Sequence, residues 1–352
     1  MNLQEALRNI LPPDQEAAVR AQIRLDNIIK PLGSLGKFES HLSKVAALIG
    51  TEKLDLRRKA VVVFCADNGV VAQGIAQSPQ EVTSIVAQNL TTGETCCCLM
   101  AKVAGAEVIP VDIGIAADLD VPGLLARKIA YGTKDFSVEP AMTREQAIAA
   151  IEVGIELAGD LKKQGYQMLA TGEMGIGNTT TSAAIAAAML GVPAGAVTGR
   201  GAGLSSDGLR RKVEVVANAL ALHRPDPADP LDVLAKVGGF DIAGMAGLCI
   251  GGALHRIPVV LDGVISSVAA VIACALHPDV SAAILPSHVS AEPAGEMVLG
   301  HLGLDAPLHA GMRLGEGTGA VATFPIYDMV LQCYDHMVVF SDEDMDQYEK
   351  FV

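Results

Sequence analysis

Tryptophan is absent and aromatic residues make up only 3% of the 352 residues, which excludes a single-strand nucleic-acid binder built on stacked aromatic platforms. Positive charge is scarce as well. The 26 Lys+Arg against 40 Asp+Glu leave a net charge of −14, which repels a polyanion, so no nucleic-acid partner is expected. No apolar stretch reaches the roughly 18–20 residues of a membrane span. The most apolar windows, Ile242–Leu254 and Gly263–Leu276, are separated by His255, Arg256 and Asp262 and read as buried helices. The opening MNLQEALRNILPPDQ lacks a basic stretch followed by an apolar one, so no secretory signal is expected. Seven cysteines include the adjacent Cys96, Cys97 and Cys98, yet no pair has zinc-knuckle or ribbon spacing. They are expected to be reduced and buried, in a cytoplasmic protein. Three in a row point to different sides of a helix, which suits packing rather than ligation.

What the chain does have is apolar material: 50% hydrophobic residues, 36 glycines and long Ala/Val/Ile/Leu tracts. That composition points to α/β layers with helices packed closely on a sheet. From residue 60 onward, β-branched runs alternate with helical patterns, the signature of a parallel sheet with crossover helices. Strands are predicted to end at Asp67, Asp112 and Gly172, and to cover Pro258–Gly263 and Ala282–Ser287. Ligands bind open α/β sheets at the carboxyl ends of the strands, so Asp67, Asp112 and the loop after Gly172 are expected around the cleft. Thr143 and Gln146 form a capping box for a helix with Ile148, Ile151 and Ile155 on one face, ending near Gly165. Arg224–Pro230 is a Pro/Asp-rich connection between helices. The expected division is a large α/β domain over 56–305, with residues 1–55 and 306–352 forming a small, mainly helical lobe.

Two glycine-rich loops each open a helix. In GEMGIGNTTTSAA (Gly172–Ala184), Gly172, Gly175 and Gly177 permit close backbone approach, and Asn178 or Thr179 is expected to cap the following helix and present its free N–H groups to an anion. In GRGAGLSSDGLRRK (Gly199–Lys212), Arg210, Arg211 and Lys212 fall in the first turn of the next helix, where Lys212 is compatible with either a phosphate contact or a solvated helix face. Neither loop is a dinucleotide fingerprint or a Walker A motif. A third loop, RLGEGTGA (Arg313–Ala320), holds Glu316 between Gly315 and Gly317, as either a catalytic acid or an exposed turn residue. In SHVSAEPAGE, Pro293 interrupts the helix that would align His288, Glu292 and Glu296 on a metal. Met142, Met174 and Met245 read as core fillers.

These segments together resemble the nicotinate-nucleotide:dimethylbenzimidazole phosphoribosyltransferases, over nearly the whole chain. The motifs are LDNIIKPLGSLGKFE, FCADNGVVAQGIAQSPQEVT, GTKDF, PAMT, GEMGIGNTT, GRGAGL, GGFDIAGMAG, DGVISS, SHVSAEP and RLGEGTGA. The resemblance implies a Rossmann-like parallel sheet with flanking helices, a small lobe from both termini, and a homodimer whose neighbouring subunit borders the site. A heterodimer with a paralogue is the other option. It implies nicotinate mononucleotide and an aromatic base, a benzimidazole or a phenol, as substrates, with no cofactor and no metal. Glu316 falls on the family's catalytic base. Glu173, Met174, Gly175, Ile176, Gly177, Asn178, Gly201, Gly203, Lys212, Ser290 and Glu292 fall on the nucleotide and phosphate site, and Ala76, Ser78, Gln88 and Leu314 on the base pocket. Ala76 and Ser78 stand where the best-known members carry Ser and an aromatic residue, and Asn68 where many carry His.

Overall fold

The computed structural model describes residues 1–349. Among them, six strands form one parallel sheet: β1 (Lys59–Ala66), β2 (Ala106–Gly114), β3 (Leu125–Ala126), β4 (Met168–Met174), β5 (Val259–Leu261) and β6 (Ile284–Pro286). Their order is β3-β2-β1-β4-β5-β6, so strand order reverses between β1 and β4. Five of the six were expected. β3 was not, because two residues carry no run for a pattern to register.

Helices α1 (Leu3–Arg8), α2 (Gln15–Asn27) and α3 (Lys37–Ile49) precede β1, and α4 (Val82–Thr92) and α5 (Cys96–Ala104) cross to β2. α6 (Arg144–Lys163) leads into β4, followed by α7 (Asn178–Leu190), α8 (Ala194–Val197), α9 (Ser206–His223), α10 (Pro230–Val237) and α11 (Phe240–His255). After β5 come α12 (Val264–Leu276), then β6, α13 (Ala294–His301) and α14 (Thr318–His336). The capping box at Thr143 and Gln146 starts α6 as the sequence predicts. The connection at residues 224–230 joins α9 to α10, with Asp229 capping α10 ahead of Pro230.

β1 is buried on both faces, as the central strand of a covered parallel sheet must be. Ala60, Val62, Phe64 and Ala66 face the core formed with α6, α11 and α12, while Val61, Val63 and Cys65 face α3, α5 and α14. The low aromatic content is answered by backbone-to-backbone packing. A Cβ on Gly247 would run into the Ile151 carbonyl, and one on Gly154 into the Gly244 carbonyl, so α6 and α11 touch along their glycines. α11 and α12 are the two apolar windows, and both are buried as expected.

The termini meet on one side of the sheet. Arg24 Nε donates to the Tyr334 carbonyl at 2.7 Å, the Tyr334 hydroxyl donates to the Glu52 carbonyl at 2.8 Å, and Ile28 bridges Val339. α1 instead joins the core of α6 and α11 through Leu3 and Ala6, with Leu3 N–H on Glu152 Oε1 at 2.8 Å. All seven cysteines are free, but burial is not uniform: Cys96 is exposed and Cys274 and Cys333 are half-buried. Cys96 is the first residue of α5, and the helix turns it to solvent while Cys97 and Cys98 face the core. No helix among the described residues is long and apolar enough to cross a membrane.

Candidate active site

A cavity opens at the carboxyl ends of the strands beside the reversal of strand order, where such sheets bind ligands. It is walled by four segments at or beyond strand ends, namely Ile75–Ser78 after β1, Glu173–Thr179 from the last residues of β4 onward, Asp262–Ser266 after β5, and His288 with Ser290 and Glu292 after β6. The loops Arg200–Leu204 and Arg313–Glu316 complete it. Three glycine-bearing loops, separate in sequence, therefore share one cavity.

Asp67 and Asp112 do not line it. Asp67 accepts the Ala116 N–H at 2.8 Å, and Asp112 accepts the Ile115 N–H at 2.9 Å and pairs with Lys128 at 3.3 Å, so both carboxylates brace the turn after β2. The acids at the cavity are Glu173 and Asp262, from strands further along the sheet, with Glu292 and Glu316. Asp262 had shown in the sequence as a separator of two apolar windows and as the first residue of DGVISS, with no role assigned to it.

α7 is capped differently from expectation. Its N-cap is Gly177, at φ 93°, with no side-chain cap, because Asn178 is already the first helical residue. Asn178 Nδ2 donates to Glu173 Oε2 and also to Asp241 Oδ2 at 3.0 Å, bridging two buried carboxyls. The Ile176 N–H goes to the Thr83 hydroxyl, and the Asn178 and Thr180 N–H groups go to the Gly175 and Gly177 carbonyls, which leaves the amides of Gly175, Gly177 and Thr179, all on the cavity wall, for an anion. Asn68 lies beneath this loop, its Oδ1 accepting the Thr181 hydroxyl at 3.0 Å, and is not a wall residue.

Lys212 is wholly buried, which removes the solvated-face reading. It lies in the second turn of α9, since Ser205 starts the helix earlier by accepting the Gly208 N–H. Its ammonium donates to Thr179 Oγ1 at 2.7 Å, directly behind the wall formed by Thr179 and Gly201. Desolvation lowers its pKa to about 8, only partly opposed by the Glu292 charge. Glu292 Oε1 accepts the Gly201 N–H at 3.1 Å, fixing the second glycine loop.

Glu316 is half-buried at the cavity, and burial raises its pKa. Its Oε2 accepts the Cys97 N–H at the first turn of α5, 3.3 Å away, with the N-cap Thr95 hydroxyl beside it. That helix N-terminus counteracts part of the burial effect. Leu314 lines the cavity with its side chain largely exposed, and Ala76 and Ser78 line it as well. Gln88 does not; it is exposed on α4. Of the three residues weighed as a metal set, His288 is buried at the cavity and Glu292 serves Gly201, while Glu296 is exposed on α13. Met142 and Met245 are core residues, whereas Met174 is half-buried on the cavity wall.

The Glu173–Asn178–Asp241 bridge has a measurable cost. Burial pushes the Glu173 carboxyl well above the usual carboxylate range, with the Asp241 charge adding to it, and burial raises Asp241 to about 6. A carboxyl raised in the folded state contributes stability fully present below its unfolded pKa and lost as pH rises through the folded one. Glu173→Gln is therefore expected to melt higher than wild type above neutrality, by on the order of 2–4 °C, with the two converging in acid. Melting curves across pH test it, and parallel profiles would refute the assignment of that cost to Glu173.

An open α/β sheet with uncapped glycine-loop amides and a buried lysine at one end of a cavity, and a partly desolvated glutamate at the other, describes an enzyme acting on a small phosphorylated substrate. The chain belongs to the phosphoribosyltransferase family, whose model matches residues 10–344. It is 44% identical over 349 residues, 99% of both chains, to the nicotinate-nucleotide–dimethylbenzimidazole phosphoribosyltransferase of Ruminiclostridium cellulolyticum. It is 47% identical over 341 residues, 97% of both chains, to the protein of that name from Roseiflexus sp.. The crystal structure of CobT from Thermus thermophilus superposes with a TM-score of 0.90 at 40% identity, over 95% of this chain and 100% of that one.

Proposed function

We propose that this chain transfers the 5-phosphoribosyl group of nicotinate mononucleotide to 5,6-dimethylbenzimidazole or a related base, giving α-ribazole 5′-phosphate and nicotinate. The observation that carries the reading is the placement of Glu316 and the anion-directed loop at Gly175–Thr179 on one cavity. Nicotinate leaves as a neutralised pyridinium, so its departure needs no general acid. The attacking benzimidazole nitrogen becomes positive as its bond to C1′ forms. A carboxylate near the other ring N–H accepts that proton and stabilises the charge as it develops, and Glu316 has that role. Attack opposite the departing nicotinate inverts the anomeric centre from β to α. The glycine-loop amides and Lys212 hold the 5′-phosphate and fix the line of attack, with Ser290 and Glu292 shaping the same end. Incubation of the purified protein with nicotinate mononucleotide and a panel of benzimidazoles and phenols, with product identification, tests the reaction; no α-linked product with any base would refute it.

Ala76 and Ser78 bring little bulk to the acceptor side, so the pocket is expected to discriminate weakly among aromatic nucleophiles. An apolar methyl(ene) difference is worth only about 1–3 kcal/mol even in a well-formed pocket. Competition among dimethylbenzimidazole, benzimidazole and a cresol is expected to give kcat/KM ratios within about 100-fold, sharpened by Ala76→Ser with Ser78→Tyr. Rejection of every alternative by several orders of magnitude would assign specificity to other residues.

The same reading includes a homodimer acting in the cytoplasm. Leu99 and Val103 on α5 and Met329 on α14 are 58%, 86% and 58% exposed, and the two helices pack together directly behind Glu316. A second copy covering this apolar surface would border the cavity. Light scattering distinguishes a dimer from a monomer, and mixing with a paralogue tests the heterodimer.

A further inference from the structure

Glu316 has a backbone that non-glycine residues seldom adopt. Its φ is 58°, between Gly315 at 90° and Gly317 at 87°. α14 begins immediately after this turn, and its N-cap Gly317 brings no side chain to the free N–H groups of the first turn. The Thr318 N–H turns back to the Gly315 carbonyl at 3.0 Å, and the others are satisfied from another strand. Asp262, at the carboxyl end of β5 and 3% exposed, accepts the Gly317 N–H through Oδ2 at 3.2 Å. Its Oδ1 accepts the N–H groups of Gly319 at 2.7 Å and Ala320 at 3.3 Å. Among the described residues it is in no ion pair with a lysine or arginine; the neighbouring His288 and the amides at the positive end of α14 answer its charge.

The seat is closed on its other sides. The Ser287 hydroxyl bonds the Asp262 carbonyl at 3.2 Å and His288 Nδ1 at 3.1 Å, and a Cβ on Gly319 would run into the His288 ring. From β4, a Cβ on Gly172 would come within 2.8 Å of the Glu316 carbonyl. The Glu316 turn thus has almost no free space: the Glu173 carboxyl takes the Glu316 N–H, the Gly315 carbonyl takes the Thr318 N–H at 3.0 Å and hydroxyl at 2.8 Å, and the three amides that follow on Gly317, Gly319 and Ala320 converge on Asp262.

We propose that Asp262 is the positioning residue of Glu316: as a cap lent by β5, it fixes the first turn of α14 and with it the strained backbone that aims the Glu316 carboxylate into the cavity. The inference rests on Glu316 as the base. Asp262 also lines the cavity, so action through Glu316 has to be separated from a contact with substrate.

A double-substitution cycle makes that separation. In Asp262→Asn, the retained oxygen still accepts from Gly319 and Ala320, while an amide nitrogen faces the Gly317 N–H, so the bond beside Glu316 is lost together with the charge that Asp262 presents to Glu316. The kcat is expected to fall on the order of 10–100-fold, as for a misplaced catalytic group, with KM for nicotinate mononucleotide within about threefold. Because both act through one carboxylate, Asp262→Asn with Glu316→Gln is expected to be no more than about threefold slower than Glu316→Gln alone. Multiplying losses, a matching rise in KM, or near-wild-type turnover of Asp262→Asn would each overturn the proposal. Unchanged turnover in Glu316→Gln alone would remove the base, and the positioning role with it. Should Asp262→Asn not fold, Ser287→Ala loosens the same seat more gently. Its several-fold loss of kcat is expected in the wild-type background and not with Glu316→Gln, and an equal loss in both would overturn the proposal.

Discussion

Glu316→Gln is expected to fold, to bind nicotinate mononucleotide with nearly unchanged affinity, and to lose turnover by on the order of 10²–10⁴-fold, the usual worth of a positioned base. The amide fits the same space and can still accept the Cys97 N–H, so the lost property is basicity. The pH dependence is a second readout. Burial raises the Glu316 pKa, and the group works deprotonated, so wild-type kcat/KM is expected to fall in acid along a limb set above that of a free glutamate. In Glu316→Gln that limb is expected to vanish. Steady-state rates at saturating base across pH decide the matter: near-wild-type turnover, or an unchanged acid limb, would remove Glu316 from the role.

Lys212→Met is the second large effect. The side chain is wholly buried, so alanine would leave a void, whereas methionine keeps the apolar stem and deletes the ammonium. A hydrogen bond to a charged group is worth about 1.5–3 kcal/mol, so nucleotide affinity is expected to weaken by about 10–100-fold, with a smaller effect on kcat. Desolvation places the free ammonium near a pKa of about 8, and a bound phosphate raises it again. Wild-type binding is therefore expected to be tightest below about 8, to weaken as pH rises through that value, and to take up protons near it. Calorimetric titration in buffers of different ionisation enthalpy measures both effects. Affinity in Lys212→Met equal to wild type at every pH would show that the lysine serves only to hold Thr179.

The sheet was legible because β1, β2 and β4 are long β-branched runs bounded by turns, a signal that needs no tertiary information. Glu316 was legible for a related reason: an acid flanked by glycines departs from local rules, and here the departure is a left-handed backbone at a cavity. The burial of Lys212 was not legible. Beside Arg210 and Arg211 it reads as part of a charged helix face, and only the packing of α9 on α7 shows which way it turns. The same applies to Asp262, whose partners lie more than fifty residues later, on a helix whose own sequence shows a cap missing but not where its replacement comes from. Asp67 and Asp112 failed as cleft residues because a strand's carboxyl end also begins a loop, and a loop with short bonds to make can use the acid first. Gln88 came from the resemblance, and α4 turns it to solvent.

The walls of the cavity belong to separate crossover units. The stretch at Ile75–Ser78 hangs from β1, while the anion-directed amides hang from β4 and the seat of Glu316 from β5 and β6. Each unit is anchored in its own strand, and the β1 unit is tied to the nucleotide side at two points, where Gln77 Nε2 donates to the Gly203 carbonyl and Asn68 Oδ1 accepts the Thr181 hydroxyl; Ala76 and Ser78 lie outside those ties. Taken with the proposed roles, this division lets lineages trade one acceptor for another while donor handling and proton acceptance are inherited intact. Exchanging Ala76 and Ser78 alone for the residues of a relative with a different acceptor, with Asn68 and Gln77 kept, should then carry the preference across and leave nucleotide affinity where it was.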